Sequence, residues 1–214
     1  MITVSAFRWV PDFAKGQVRD LRVRWALEEA GLAYRTRLLE QGDKDKPDYR
    51  ALQPFGQVPI LAENGLVLFE TGAIVLYIGE RSEALLPKDA GARARATQWL
   101  VCALNSIEPF VMNVASLDAF YANEEWARLR RPGAIEFLLK RLEALSQSLG
   151  AKPYLDGDRF TAGDLMMATV LRIFTDKDIV TRDPRLAAYI ERCTARPAFA
   201  RALDAQMADF REAA

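Results

Sequence analysis

The chain has 214 residues, enough for one large domain or two small ones, and half of them are apolar while 29 basic side chains balance 29 acidic ones. That balance, with no long block of one sign, argues against nucleic acid or an anionic membrane as a partner. The sequence contains no histidine, which excludes Ser-His-Asp and Cys-His nucleophiles, HExxH zinc sites and any imidazole base. Its two cysteines, Cys102 and Cys193, form no CxxC pair, so neither a thiol redox motif nor a zinc ribbon is available, and no metal is expected.

Ile2 to Trp9, with Ile2, Val4 and Phe7, reads as a first strand. Pro11, Asp12 and Gly16 then break the period, and Val23, Ala26, Leu27 and Ala30 mark an amphipathic helix that stops at Gly31. A strand is expected over Ala33–Leu39 and a short helix over Pro47–Leu52. Val58–Ala62 and Leu66–Phe69 flank Asn64-Gly65, the dipeptide that suits a type I′ hairpin because both central positions need positive φ. A helix then starts near Thr71. The order β-α-β-α-β-β-α suits a small mixed sheet with helices on its faces.

Between Ser82 and Gly91 the pattern lapses, which places a domain boundary there, and no strand follows. Helices are expected at Ala92–Ala115, Pro132–Leu149, Thr161–Thr175, Pro184–Ala195 and Ala198–Ala213. Pro132 and Pro184 suit first turns, whereas Pro109 should kink or break its helix. Phe160-Thr161-Ala162-Gly163-Asp164-Leu165 has the spacing of a capping box with a hydrophobic staple, which makes Asp164 structural. No apolar run approaches the ~20 residues needed to span a bilayer and no leader pattern is present, so a reducing, cytoplasmic setting is expected.

The most informative segment is Gln53-Pro54-Phe55-Gly56-Gln57-Val58-Pro59-Ile60-Leu61. A proline at the head of a strand cannot donate to the ladder and belongs at an edge or in a special turn. The freed main chain of Val58 can pair with an extended peptide. Glu70-Thr71, opening the next helix, supplies the complement: unpaired N–H groups and a hydroxyl for a carboxylate, and an acid for an ammonium. Taken singly, Thr71 is a helix cap and Val58 a core residue.

Together, QPFGQVPIL, the hairpin, FETGAIVLYI, VRWALEEAGLAY and the capping box resemble the glutathione transferase family over nearly the whole chain. The resemblance implies α/β plus all-α architecture: a thioredoxin-like glutathione-binding domain over residues 1–81, then a helical-bundle second-substrate domain over 91–214. It implies that Gln57, Val58, Pro59, Glu70, Thr71 and Lys46 bind glutathione as co-substrate, with Val58-Pro59 as the cis-proline element. It further implies a small electrophile as second substrate, a role in detoxification, and a homodimer. Trp9, Phe13, Phe110, Tyr121 and Phe174 are the candidates for an apolar second-substrate pocket.

Members of that family generally activate the thiol with a Tyr, Ser or Cys, and Phe7 to Asp20 contains none. Ser5, the nearest hydroxyl, reads as a strand residue facing neighbouring backbone. Arg19 is the catalytic candidate. Lowering a thiol pKa from ~8.5 by about two units requires roughly 2.7 kcal/mol, and a charge at about 4 Å in an effective dielectric of ~20 supplies on the order of 4 kcal/mol before desolvation. Its alternative role is as partner of Asp20 or a neighbouring acid. The missing hydroxyl leaves a second function open, a non-catalytic binding or scaffold protein on the same fold.

Overall fold

The computed structural model describes residues 1–211. By backbone contacts the chain divides into two units, one formed by Met1–Lys88 with the C-terminal segment from Ala195, the other by Asp89–Thr194.

In the first unit, β1 (Ile2–Phe7), α1 (Asp20–Ala30), β2 (Tyr34–Leu39), the short α2 (Pro47–Arg50), β3 (Leu61–Glu63), β4 (Leu66–Leu68) and α3 (Thr71–Gly79) follow the expected order. The sheet runs β2-β1-β3-β4. Its first pair is parallel and joined through α1; the other two are antiparallel. Asn64 and Gly65 both take positive φ, 50° and 84°, as a type I′ turn requires. The strand expected from Val58 starts only at Leu61, because residues 58–60 turn away as a loop. α1 buries Leu21, Val23, Trp25, Ala26 and Leu27 and ends at Gly31, whose φ of 65° closes the helix in the left-handed region.

The last helix, α9 (Pro197–Arg211), packs on α1 and belongs to this first unit, where the sequence assigned it to the helical domain. Its expected end at Ala213 lies outside the described residues. Trp25 meets Phe199 edge-on at 4.8 Å, Arg196 forks onto Glu29 at 2.6 and 2.8 Å, and Arg201 pairs with Glu28 at 2.7 Å. The partners are more than 160 positions apart in sequence, so no local pattern announces them.

The second unit contains α4 (Ala90–Cys102), α5 (Glu108–Phe120), α6 (Glu125–Leu149), α7 (Ala162–Leu171) and α8 (Pro184–Thr194). One π-helical turn, Ala103–Ile107, joins α4 to α5, so Pro109 interrupts the regular spacing at a helix start without ending the rod. The continuous helix Ala90–Phe120 is long and apolar enough to cross a bilayer by length and composition, contrary to the expectation of no such run. Much of its apolar surface serves the core: Ala96, Leu100, Ala103, Ile107, Val111 and Val114 are buried, and α4 packs on α7. A Cβ on Gly163 would lie 2.5 Å from the Trp99 Cβ, so only glycine permits that crossing.

Pro132 lies inside α6, not in its first turn. It falls on an exposed stretch, where water can take the carbonyl that its missing N–H leaves over. The capping box forms at Thr161–Asp164: Thr161 Oγ1 accepts from the Gly163 N–H at 3.2 Å, and the Asp164 carboxylate accepts from the Thr161 N–H at 2.9 Å. That carboxylate also accepts from the Leu155 N–H at 2.9 Å and the Tyr189 hydroxyl at 3.0 Å.

Candidate functional site

The hairpin register pairs Leu61 with Leu68. Residues entering β3 and residues leaving β4 therefore lie at one end of the hairpin, which brings the loop Gln57–Ile60 and the tip Phe69–Thr71 to the same edge of the sheet. Phe55 and Phe69 meet edge-on there, with ring centroids 6.3 Å apart.

The Val58-Pro59 peptide bond is cis. Val58 is 7% exposed, and its N–H and C=O take no hydrogen-bond partner among the described residues. The main chain on either side of it is held. The Gln57 C=O accepts from the Tyr49 hydroxyl at 2.7 Å, and the Ile60 N–H donates to Ser5 Oγ at 2.8 Å. The two hydroxyls lie 2.9 Å apart. Below the loop, Leu39, Tyr49, Val58 and Ile60 form an apolar cluster. Ser5, 1% exposed, thus faces backbone as a strand residue does.

At the other side of the edge, Glu70 precedes α3 with φ 68° and ψ 114°, a backbone state that an L side chain adopts at a cost and that clusters at binding sites. Its exposed carboxylate makes no capping bond to the helix, so the first N–H groups of α3 stay available. Thr71 is 6% exposed, and its Oγ1 accepts from Arg22 Nη1 at 3.4 Å, leaving the hydroxyl proton to donate elsewhere. No acidic residue occupies the first turn of α3. The edge offers an open stretch of main chain, a helix tip with partial positive charge and a carboxylate, a set that can take a short peptide by its backbone and its charged end.

The remaining sequence candidates fall out unevenly. Arg19 is the half-buried N-cap of α1. The Asp20 offered as its alternative partner is instead held by Arg24 Nε at 2.7 Å and Gln206 Nε2 at 2.8 Å. Lys46 caps α2, largely exposed, and pairs with Asp43 at 2.6 Å, which raises the lysine above its ordinary pKa through that hydrogen bond. In the first unit, Trp9 and Phe13 are exposed, and the Trp9 carbonyl accepts from Gln41 at 2.7 Å. In the second, Phe110 carries the Arg141 guanidinium 4.7 Å from its ring centre, and Tyr121 packs on Trp126 at 5.0 Å. Phe174 is a correction: it is 1% exposed, a core side chain with no surface to offer a substrate. Among the described residues no cluster of three or more His, Cys, Asp or Glu side chains could hold a metal.

Sequence reasoning missed Tyr49, Ser5 as its partner, and Arg22. A signal existed for Arg22, since Arg22 and Arg24 sit among the apolar residues of α1 and are 4% and 1% exposed. None existed for Tyr49, whose partner in β1 is 44 positions away.

The segments that form this edge fall within a family match. Residues 14–80 match the model of the glutathione S-transferase N-terminal domain, and residues 130–192 match that of the C-terminal domain. Glutathione S-transferase 3 of Zea mays is 31% identical over 193 residues, spanning 84% of this chain and 86% of the maize protein. The chain belongs to the glutathione transferase family. The N-terminal match contains Arg19, Lys46, Gln57, Val58-Pro59 and Glu70-Thr71, and the C-terminal match contains the capping box. Among bacterial relatives, the disulfide-bond oxidoreductase YfcG of Escherichia coli is 28% identical over 202 residues, covering 86% of this chain and 90% of that protein. The same fold recurs in a glutathione transferase family member from Pseudomonas fluorescens solved with two glutathione molecules bound (TM-score 0.82, 24% identity, 94% and 92% of the two chains). As in those transferases, a four-stranded thioredoxin-like domain and a helical domain make up the chain.

Proposed function

We propose that this transferase lays glutathione along the open main chain of Val58 and anchors the γ-glutamyl end on the tip of α3. The carboxylate there meets the first N–H groups and the Thr71 hydroxyl, and Glu70 meets the ammonium. The observation that carries this reading is the unpartnered Val58 main chain beside a helix tip that Glu70 leaves uncapped. Gln57 and Lys46 border the same peptide. Arg19, the N-cap of α1, stabilises the thiolate together with that helix's N-terminus. The sulfur, having lost its proton, attacks an electrophilic carbon and expels its leaving group, or attacks one sulfur of a mixed disulfide and expels the other as thiolate. The YfcG relative supports the disulfide arm. A homodimer, a detoxifying role and a cytoplasmic setting belong to this proposal, and Cys102 and Cys193, neither of which forms a disulfide, suit a reducing compartment.

The test is retention on immobilised glutathione. Replacing Glu70 by Gln and Thr71 by Ala together should abolish it, and undiminished retention would place the carboxylate elsewhere. Turnover is then assayed with a chlorinated nitrobenzene, a hydroperoxide and a glutathionyl disulfide. Retention without turnover of any of these leaves the scaffold reading in its place. Arg19→Ala should raise the pKa of bound glutathione; an unmoved thiol pKa removes the Arg19 assignment alone.

A further inference from the structure

The hydroxyls of Ser5 and Tyr49 form a relay with one direction. Tyr49 has a single proton, and the 2.7 Å contact to the Gln57 carbonyl, which can only accept, takes it. At the 2.9 Å contact between the hydroxyls the tyrosine oxygen must therefore accept and Ser5 must donate. Ser5 Oγ in turn accepts the Ile60 N–H at 2.8 Å. The chain runs Ile60 N–H to Ser5 O–H to Tyr49 O–H to Gln57 C=O, each donor polarising the next. Its ends grip the loop at residues 57 and 60, and between them stand only Val58 and Pro59. Ser5 is 1% and Tyr49 2% exposed, so water does not compete for either hydroxyl.

We propose that Ser5 and Tyr49 are positioning residues that fix the Val58 main chain in the orientation glutathione pairs with. The inference rests on the glutathione reading of this edge and adds to it two residues that touch no ligand. A hydrogen bond to a ligand main chain needs its partner held to a few tenths of an ångström before binding, or the cost of ordering the loop is subtracted from affinity. The relay does this from beneath, through groups already buried. Burial raises the Tyr49 phenol above its ordinary pKa, so it keeps the proton that the relay needs.

The decisive variant is Tyr49→Phe, which deletes one oxygen and leaves the ring in its cluster with Leu39, Val58 and Ile60. Calorimetric titration with glutathione should show roughly tenfold weaker binding, the ~1.4 kcal/mol equivalent of one buried hydrogen bond. The Michaelis constant for glutathione should rise by the same factor while that for a chlorinated nitrobenzene stays within about twofold, a split that general loss of structure does not produce. Ser5→Ala should match Tyr49→Phe, and the double variant should be no worse than either alone, because the relay acts as a unit. Amide exchange gives a readout without ligand: the Ile60 N–H should exchange much faster in Ser5→Ala, with core amides such as that of Val4 unchanged. Wild type that binds glutathione beside a Tyr49→Phe variant that binds it equally overturns the relay and leaves the site reading standing. An Ile60 amide as protected in Ser5→Ala as in wild type overturns the relay too. Wild type that fails to bind glutathione overturns the site reading, and this proposal with it.

Discussion

Asp20 in the first unit and Asp164 in the second are carboxylates buried in the first turn of a helix, and the two are satisfied by opposite means. Asp20 opens α1 at 1% exposure and is met by a cation: Arg24 Nε lies 2.7 Å away, and the same guanidinium reaches Asp209 on α9. Asp164 opens α7 fully buried and is met by neutral donors alone, the N–H groups of Leu155 and Thr161 and the hydroxyls of Tyr189 and Thr161. A helix N-terminus favours negative charge in both places. The difference lies in reach. The Asp164 partners are within nine positions except Tyr189, at 25; the Gln206 that completes the Asp20 site is 186 away. Asp164 holds a helix to its own stretch of sequence, and Asp20 ties the end of the chain to its beginning.

Deleting each carboxylate separates the two sites by the largest margin. Asp164→Ala leaves the Leu155 and Thr161 N–H groups and the Tyr189 hydroxyl without their shared acceptor. At about 1–3 kcal/mol for each stranded buried donor, partly regained by water entering the gap, the expected loss is about 4 kcal/mol by urea unfolding. A loss under about 1 kcal/mol would mean that the loop before α7 rearranges freely. Asp20→Ala should cost less, about 3 kcal/mol, the lower end for breaking a buried pair, because Arg24 keeps Asp209. If Asp20→Ala proves the costlier of the two, the ion pair outweighs the set of neutral bonds and the ranking is broken.

The same contrast explains what the sequence could show. The capping box with its staple and the hairpin turn are patterns of six residues or fewer, in which geometry follows from spacing alone, and FTAGDL and Asn64-Gly65 were readable for that reason. The candidate site was readable where it is a property of main chain and local order: a proline after Val58, and a helix opening at Glu70-Thr71. It was unreadable where a side chain crosses the fold. Ser5 meets Tyr49, and Arg22 meets Thr71, only because β1 and α1 pack against later elements. The packing of α9 on α1 was hidden for the same reason, since nothing local in Pro197–Arg211 distinguishes a helix that returns to α1 from one that stays with α8. Pro132 misled in the other direction, its local rule for helix starts being overridden on an exposed turn where water can stand in for the missing bond.

The smallest expected effect is a slope. Burial pushes both acids above the ordinary Asp range, Asp20 against the pull of Arg24 and Gln206, and Asp164 against its amide and hydroxyl donors. Between the unfolded value, about 3.9, and the raised folded one, the native chain still binds a proton that the unfolded chain has released. Stability contributed by each site is therefore present below that window and falls as pH climbs through it. Asp20→Asn and Asp164→Asn remove one titration each, so the advantage of wild type over either variant should narrow in urea unfolding as pH rises above the unfolded value of about 3.9. An advantage that widens with pH at position 20 but narrows at position 164 would show that the Arg24 charge outweighs the cost of burying Asp20. The two carboxylates would then differ in the sign of their linkage as well as in their partners.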